Sequence, residues 1–217
     1  MSFFDRIVLI NLPQRLDKRM SALQQTAYWG LPQPTIFPAI WGDGLKIPDW
    51  WKEGGPAFGC RASHLAILTK AIDDGIEKLF IVEDDLLLCR NFENKFTHFM
   101  AKVNQFHWDC LMIGGQHYES EPEPIMEGVV KCTNTQRTHA YAVQGEFIKL
   151  LRDMWAEEKT GHIDWRMGPF CAKYNTYAPN PFLIGQSGGV SDITNRDDGN
   201  RFWNPVSRPK HILARQT

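Results

Sequence analysis

The sequence predicts an α/β fold in which a Rossmann-like, mostly parallel central sheet is flanked by helices. Three observations predict it. The short apolar runs Ile7-Val8-Leu9-Ile10 and Leu79-Phe80-Ile81-Val82 have the length and composition of strands buried on both faces. Between them lie segments whose apolar residues recur three and four apart, the spacing of an amphipathic helix. The two kinds of segment alternate along most of the chain, as crossover connections in a parallel sheet require.

The first apolar run ends at Asn11-Leu12-Pro13 and opens the sheet. Residues 15–28 follow as a helix with Leu16, Met20, Leu23 and Ala27 as its apolar stripe. Prolines and glycines then punctuate residues 32–56, together with Trp41, Trp50 and Trp51, which predicts a structured loop region. Residues 63–75 read as a helix with Leu65, Leu68 and Ile72 inward, stopped by Gly75. The second apolar run therefore ends on Glu83-Asp84-Asp85, at the carboxyl end of a strand, where open α/β sheets bind ligands.

Residues 92–103 predict another helix, 108–113 another strand, and Gly114-Gly115 a tight exit from it. Residues 119–127 carry two prolines and four glutamates and read as an exposed loop. A strand over 139–143 and a helix over 146–158 follow, and beyond Gly161 the chain becomes loop-rich. With no repeat or linker the expectation is one domain over 1–217, its core at about 5–192 and a loop-rich tail at 193–217.

The 217 residues are 43% hydrophobic, enough for a substantial core, and 24 basic residues nearly balance 25 acidic ones. That balance argues against a nucleic-acid coat. The five cysteines are widely spaced, without a zinc-knuckle or redox pair, and read as reduced thiols. The amino terminus lacks the pattern of a secretory signal, and no apolar stretch reaches the length of a membrane span. The expected location is cytoplasmic, with peripheral contact at the inner face of a membrane as an extension.

Three consecutive carboxylates beside a buried strand are costly unless a cation or hydrogen-bond donors compensate. Glu83, Asp84 and Asp85 are therefore the candidate metal ligands, and hard carboxylate oxygens suit Mg²⁺ or Mn²⁺. Asn11 ends the neighbouring strand and presents a polar group to the same crevice. Arg15 and Arg19 lie one helical turn apart, with guanidinium groups suited to phosphate, or else form a solvated face with Asp17 as counter-charge. Ser63 is either a ligand contact or a helix cap, His64 either a ligand contact or a satisfied buried histidine. Cys60 reads as a packing residue, and His139 as core or supporting the site.

Five pieces in this order resemble glycosyltransferase family 25: residues 10–19, Phe58-Gly59-Cys60-Arg61-Ala62-Ser63-His64-Leu65, Ile81-Val82-Glu83-Asp84-Asp85, residues 138–143, and Ile163-Asp164. The resemblance implies a GT-A-type fold and an acidic motif that holds Mn²⁺ or Mg²⁺ against the diphosphate of a nucleotide sugar. It implies that Glu83-Asp84-Asp85 is that motif, with Asp85 a direct ligand and Asp84 or Glu83 also touching the donor. Asn11, Leu12, Arg15, Arg19, Arg61, Ser63, His64 and Gln186 become donor-side candidates.

The family-level expectation is hexose transfer, galactose or glucose, from a UDP-sugar to a hydroxyl of a glycan or glycolipid such as a lipooligosaccharide core. Asp164 is the candidate general base of an inverting transfer, although Trp165 stands where relatives carry Glu; a helix-cap role for Asp164 is the alternative. Gln186, Asp192 and His211 are candidates for a further metal ligand, and residues 186–192 for a loop closing over the donor. Trp41, Trp50 and Trp51 are candidates for an acceptor wall, and the basic segment 209–215 for contact with an anionic acceptor or membrane. Alternatives are a transferase acting on hydroxylated DNA bases or a protein side chain, and a catalytically silent nucleotide-sugar or glycan-binding module.

Overall fold

The computed structural model describes residues 3–159, 161–190, 192 and 197–207, with the backbone alone at 197 and 198. The basic segment 209–215, His211 and most of the expected tail lie outside the described residues.

In chain order the elements begin with β1 (Arg6–Asn11), α1 (Leu16–Tyr28), β2 (Thr35–Pro38), α2 (Gly55–Asp73) and β3 (Lys78–Glu83). Then come β4 (Leu86–Leu88), α3 (Phe92–Val103), β5 (Cys110–His117), the hairpin β6 (Glu123–Met126) and β7 (Val129–Lys131), and β8 (Thr135–Gln144). Helices α4 (Glu146–Glu157) and α5 (Ile163–Cys171) precede β9 (Thr176–Pro179), β10 (Ile184–Gln186), β11 (Gly189–Val190) and β12 (Asp197–Asp198). The main sheet has the order β2-β1-β3-β8-β5-β9-β7-β6. Strands β8 and β7 run against the others, so the sheet is mixed but mostly co-directional, in keeping with the expected α/β architecture.

Alternating side chains of each central strand enter two cores. Val8, Ile10, Leu79, Ile81, Met112, Tyr141 and Val143 pack with α2, α4 and α5 on one face. Ile7, Leu9, Phe80, Val82, Leu111, Ile113 and Ala142 pack with α1 and α3 on the other. This explains the unbroken apolar runs: both sides of the pleat are covered, so neither phase of the period-two pattern is polar. Burying each large side chain contributes about 1.5–3 kcal/mol.

Several expectations are corrected. The inward face of α1 is Ala22 and Thr26, while Leu16 and Met20 are 52% and 55% exposed. Gln25 also turns inward, donating to Leu86 O (3.0 Å) and accepting from Leu88 N–H (2.9 Å). A polar residue outside the expected apolar stripe thus lies on the inward face, where it satisfies the β4 backbone.

Helix α2 begins eight residues earlier than expected, because Pro56 sits in its first turn, where a missing N–H costs nothing. Ser63 is consequently mid-helix and no cap. Gly114 and Gly115 stay within β5 rather than ending it; a β-carbon on Gly114 would lie 2.4 Å from His139 Nε2 and 2.5 Å from Ile184 O. Residues 119–127 contribute an exposed strand, and the region after Gly161 holds α5 and four short strands. Among the described residues no helix is long and apolar enough to cross a membrane.

Candidate active site

The chain leaves β1 toward β2 on one side and leaves β3 toward the opposite half of the sheet, so a crevice opens between their carboxyl ends. Parallel register sets Ile10 beside Glu83. The residues just beyond then meet: Asn11 Nδ2 donates to Asp84 Oδ2 at 2.7 Å and to Arg15 O at 2.9 Å. From the far end of the chain, β10 pairs antiparallel with β4, setting Gln186 opposite Leu86. Gln186 Nε2 donates to Asp85 Oδ2 at 3.2 Å, and Ser187 N–H to Asp85 O at 2.6 Å.

The acidic residues differ in their surroundings. Burial pushes Asp84 up to about 6 against the hydrogen bond from Asn11. Burial, then the charges of Glu83 and Asp84, push Asp85 up to about 7. Burial is the largest influence on Glu83 and would raise it, but His64, whose Nε2 lies 3.4 Å from Glu83 Oε1, together with His139 and Thr138 holds Glu83 below the ordinary value. Asp85 Oδ1 is buried without a hydrogen-bond partner. A divalent cation fits this arrangement: it supplies the missing partner and offsets clustered charge with hard oxygen donors. Asp85 and Asp84 are the residues that could hold it.

Strand β8 brings Thr138 and His139 against β3. Thr138 Oγ1 lies 2.8 Å from Asp164 Oδ1 and 3.3 Å from Glu83 Oε1. A single hydroxyl proton serves one acceptor well, and the shorter contact is Asp164. Asp164 lies in the first turn of α5, one residue beyond its first position, while His162 holds the N-cap place, and its carboxylate lines a cavity shared with Glu83 and Asp85. Arg137 lines the same cavity with φ +84°, a backbone that costs a residue with a β-carbon of order 1 kcal/mol. Its guanidinium lies 4.0 Å from the Trp203 ring centroid, and Trp203 Nε1 donates to Gln186 Oε1 at 2.9 Å.

Two adjoining open spaces flank the carboxylates, one of about 680 Å³ beside Leu12, Trp41 and His64, the other of about 1280 Å³ beside Asp164 and Gln186. Both border Lys18, Cys60, Glu83 and Asp85. Sequence reasoning missed Lys18. It stands four residues before Ala22 on the inward face of α1, so choosing the wrong phase for that helix hid it.

Not every candidate converges. Arg61 borders neither space; it is buried, donates to Trp155 O and, at 3.1 Å, to Glu158 O, and lies 5.0 Å from the Trp50 ring centroid. It anchors the carbonyls at the end of α4. Ser63 donates to Gly59 O and accepts from Ile40 N–H, both at 2.8 Å, tying α2 to the loop beside it although it borders the first space. Arg15 donates to both oxygens of Asp192 at 2.7 and 2.6 Å and also pairs with Asp17. Lys18 Nζ reaches Asp192 at 2.7 Å, so Asp192 is an ion-pair partner here. Arg19 borders neither space. Of the three tryptophans only Trp41 lines the site; Trp51 is buried and donates to Gly54 O.

A mixed, mostly co-directional α/β sheet with carboxylates gathered at its carboxyl edge is the class of protein these observations define. Residues 54–155 match the model of glycosyltransferase family 25 (LPS biosynthesis protein), and the resemblance carried by the motifs is to that same family. Procollagen galactosyltransferase 2 of Mus musculus is 28% identical over 167 residues, covering 68% of this chain and 26% of the relative. The inactive glycosyltransferase 25 family member 3 of Homo sapiens is 28% identical over 91 residues, covering 40% and 15%. The chain therefore spans about a quarter or less of the length of these curated relatives. Among solved structures, a glycosyltransferase involved in glycosylation of the major capsid of PBCV-1 aligns over 70% of this chain and 67% of its own, with 12% identity and a TM-score of 0.38.

Proposed function

We propose that this chain is a glycosyltransferase that uses a nucleotide-sugar donor together with Mn²⁺ or Mg²⁺ at Asp85 and Asp84. The observation that carries the reading is the buried, unpartnered Asp85 Oδ1 at the junction of two open spaces, one bordered by Leu12 and the other by Asp164. The donor occupies the first space and the acceptor hydroxyl approaches through the second. Asp85 and Asp84 would hold the cation, which when bound would offset negative charge growing on the departing diphosphate. Asp164 accepts the proton of the attacking hydroxyl, held in place by Thr138. The new glycosidic bond forms as the anomeric bond to the diphosphate breaks, with inversion. Lys18 adds positive charge near the leaving group.

Galactose is supported by the relatives' name and a glycan acceptor by the family description, while UDP and glucose rest on the motif resemblance. A procollagen-modifying relative keeps a protein side chain as an acceptor class, and the relatives named inactive favour a silent donor-binding module as the second reading. The test measures donor hydrolysis and transfer to glycan and hydroxylated-peptide acceptors with Mn²⁺, with EDTA, and with Asp85→Ala and Asp164→Asn. Turnover is expected to need Mn²⁺, to vanish in Asp85→Ala, and to fall about 10²- to 10⁴-fold in Asp164→Asn with donor affinity kept. Donor binding with no turnover on any acceptor selects the silent module; metal-independent turnover in Asp85→Ala sinks the metal assignment.

A further inference from the structure

Cys60, His64 and Glu83 form a second cluster whose chemistry differs from that of Asp84 and Asp85. Cys60 and His64 are four apart on α2 and share one helix face, while Glu83 ends the strand opposite. One ligand atom from each, sulfur, ring nitrogen and carboxylate oxygen, lies within 4.8 Å of the other two. Bond lengths around four-coordinate zinc put neighbouring ligand atoms about 3.5 Å apart, so the set closes by a side-chain movement of about an ångström.

His64 is already oriented for this. Its Nδ1 lies 3.0 Å from Tyr141 Oη, and its Nε2 faces Glu83 Oε1 at 3.4 Å. Without metal, Nε2–H can donate to Glu83 Oε1 while Nδ1 accepts from Tyr141 Oη; metal binding selects the other tautomer, in which Nδ1–H donates to Tyr141 and the Nε2 lone pair faces the cation. A hydrogen bond to the outer ring nitrogen is the usual support of a metal-ligating histidine. Cys60 and Glu83 both border the two open spaces, leaving a fourth position for water or substrate. Three protein ligands with one open position is a zinc arrangement, and a sulfur-containing set favours Zn²⁺ or Co²⁺ over Mg²⁺.

We propose that Cys60, His64 and Glu83 bind a thiophilic divalent cation, Zn²⁺ above all, at a site adjoining but chemically distinct from Asp84 and Asp85. On binding, the Cys60 S–H bond is replaced by a sulfur–metal bond and the proton passes to solvent. Glu83 borders both open spaces and directly precedes Asp84, so Zn²⁺ held here adds positive charge beside Asp84 and Asp85 and weakens their hold on a second cation. The binding claim stands whether or not the chain transfers sugar; only its effect on turnover rests on that reading.

The experiment titrates Co²⁺ into the reduced, metal-free full chain and records absorption. The expected result is a sulfur-to-cobalt charge-transfer band with the d–d bands of a four-coordinate ion. Cys60→Ser removes the charge-transfer band, while Asp85→Asn and Cys89→Ser keep it. Tyr141→Phe retains the ring and weakens Co²⁺ binding roughly tenfold. A wild-type chain without the band, or a band that survives Cys60→Ser, overturns the proposal. Should Cys60→Ser fail to fold, Tyr141→Phe decides, and unchanged Co²⁺ affinity there counts against the site.

Discussion

Asp85 makes a stability trade-off measurable at a single side chain. Its carboxyl is pushed from 3.8 to about 7 by burial and by the neighbouring acidic groups, so the folded protein holds this proton more tightly than the unfolded chain does. Its contribution to stability is thus full below pH 3.8 and declines as pH rises through about 7. Without metal, Asp85→Asn is expected to be more stable than wild type at pH 8, by on the order of 3 kcal/mol, and indistinguishable at pH 3.5. Paired denaturant titrations in EDTA check this, and a variant less stable at pH 8 contradicts it. The variant should also lose any thermal stabilisation by Mn²⁺. Wild-type Mn²⁺ affinity should rise between pH 5.5 and 8, as Asp84 and Asp85 shed the protons that compete with the metal.

Glu83, Asp84 and Asp85 were legible in the sequence because three charges beside an apolar run demand an explanation in any fold. Arg61 was not. A guanidinium drawn to phosphate and one drawn to helix-end carbonyls look alike until the partner is seen, and the partner here lies 94 positions away. Arg61→Met is expected to destabilise the chain by about 1.5–3 kcal/mol through the lost charge-assisted hydrogen bonds, with donor affinity unchanged. Calorimetric donor binding beside a melting curve separates the two effects.

At the scale of elements, β3 followed from its unbroken apolar run and α3 matches the helix expected over 92–103, whereas α1 was read in the wrong phase and α2 was begun too late. Each error has a local cause. Helix α1 turns Gln25 inward to pair the β4 backbone, so polarity no longer reports exposure. Helix α2 tolerates Pro56 in its first turn and Gly59 within, because the loop beside it comes close: a β-carbon on Gly59 would lie 2.3 Å from Ile40 O and 2.6 Å from Gly42 N. Gly59→Ala is therefore expected to cost stability rather than gain helix propensity, by about 1–3 kcal/mol of overpacking. An Ala variant with a raised melting temperature would show that the loop yields.

Over the whole molecule, the two cores divide the work of holding the sheet edge rigid. Phe96 stacks with Phe80 and Phe92 at centroid distances of 6.2 and 5.1 Å, in the core beneath β3 and α3. Phe96→Ala is expected to cost about 3–5 kcal/mol, read from chemical denaturation; a loss under 1 kcal/mol would mean that the site rests mainly on the opposite core. Long-range pairing has a separate consequence, since β10 and the Asp192 ion pairs bring residues 184–186 and Asp192 to a site whose acidic motif ends at residue 85. Local spacing carries no information about that approach.

By itself the sequence determined the layered α/β architecture, the strand that bears the acidic motif and the family resemblance, because buried runs, helical spacing and clustered charge are local quantities written in consecutive residues. Only the tertiary structure decided which polar groups share the crevice. It joined Asn11 to Asp84, Gln186 to Asp85 and Thr138 to Asp164, set Lys18 beside the carboxylates, and turned Arg61 to the end of α4. These pairings depend on strand register and helix phase across long separations, where the cost of an unsatisfied buried polar group selects the partner and no nearby residue reveals it.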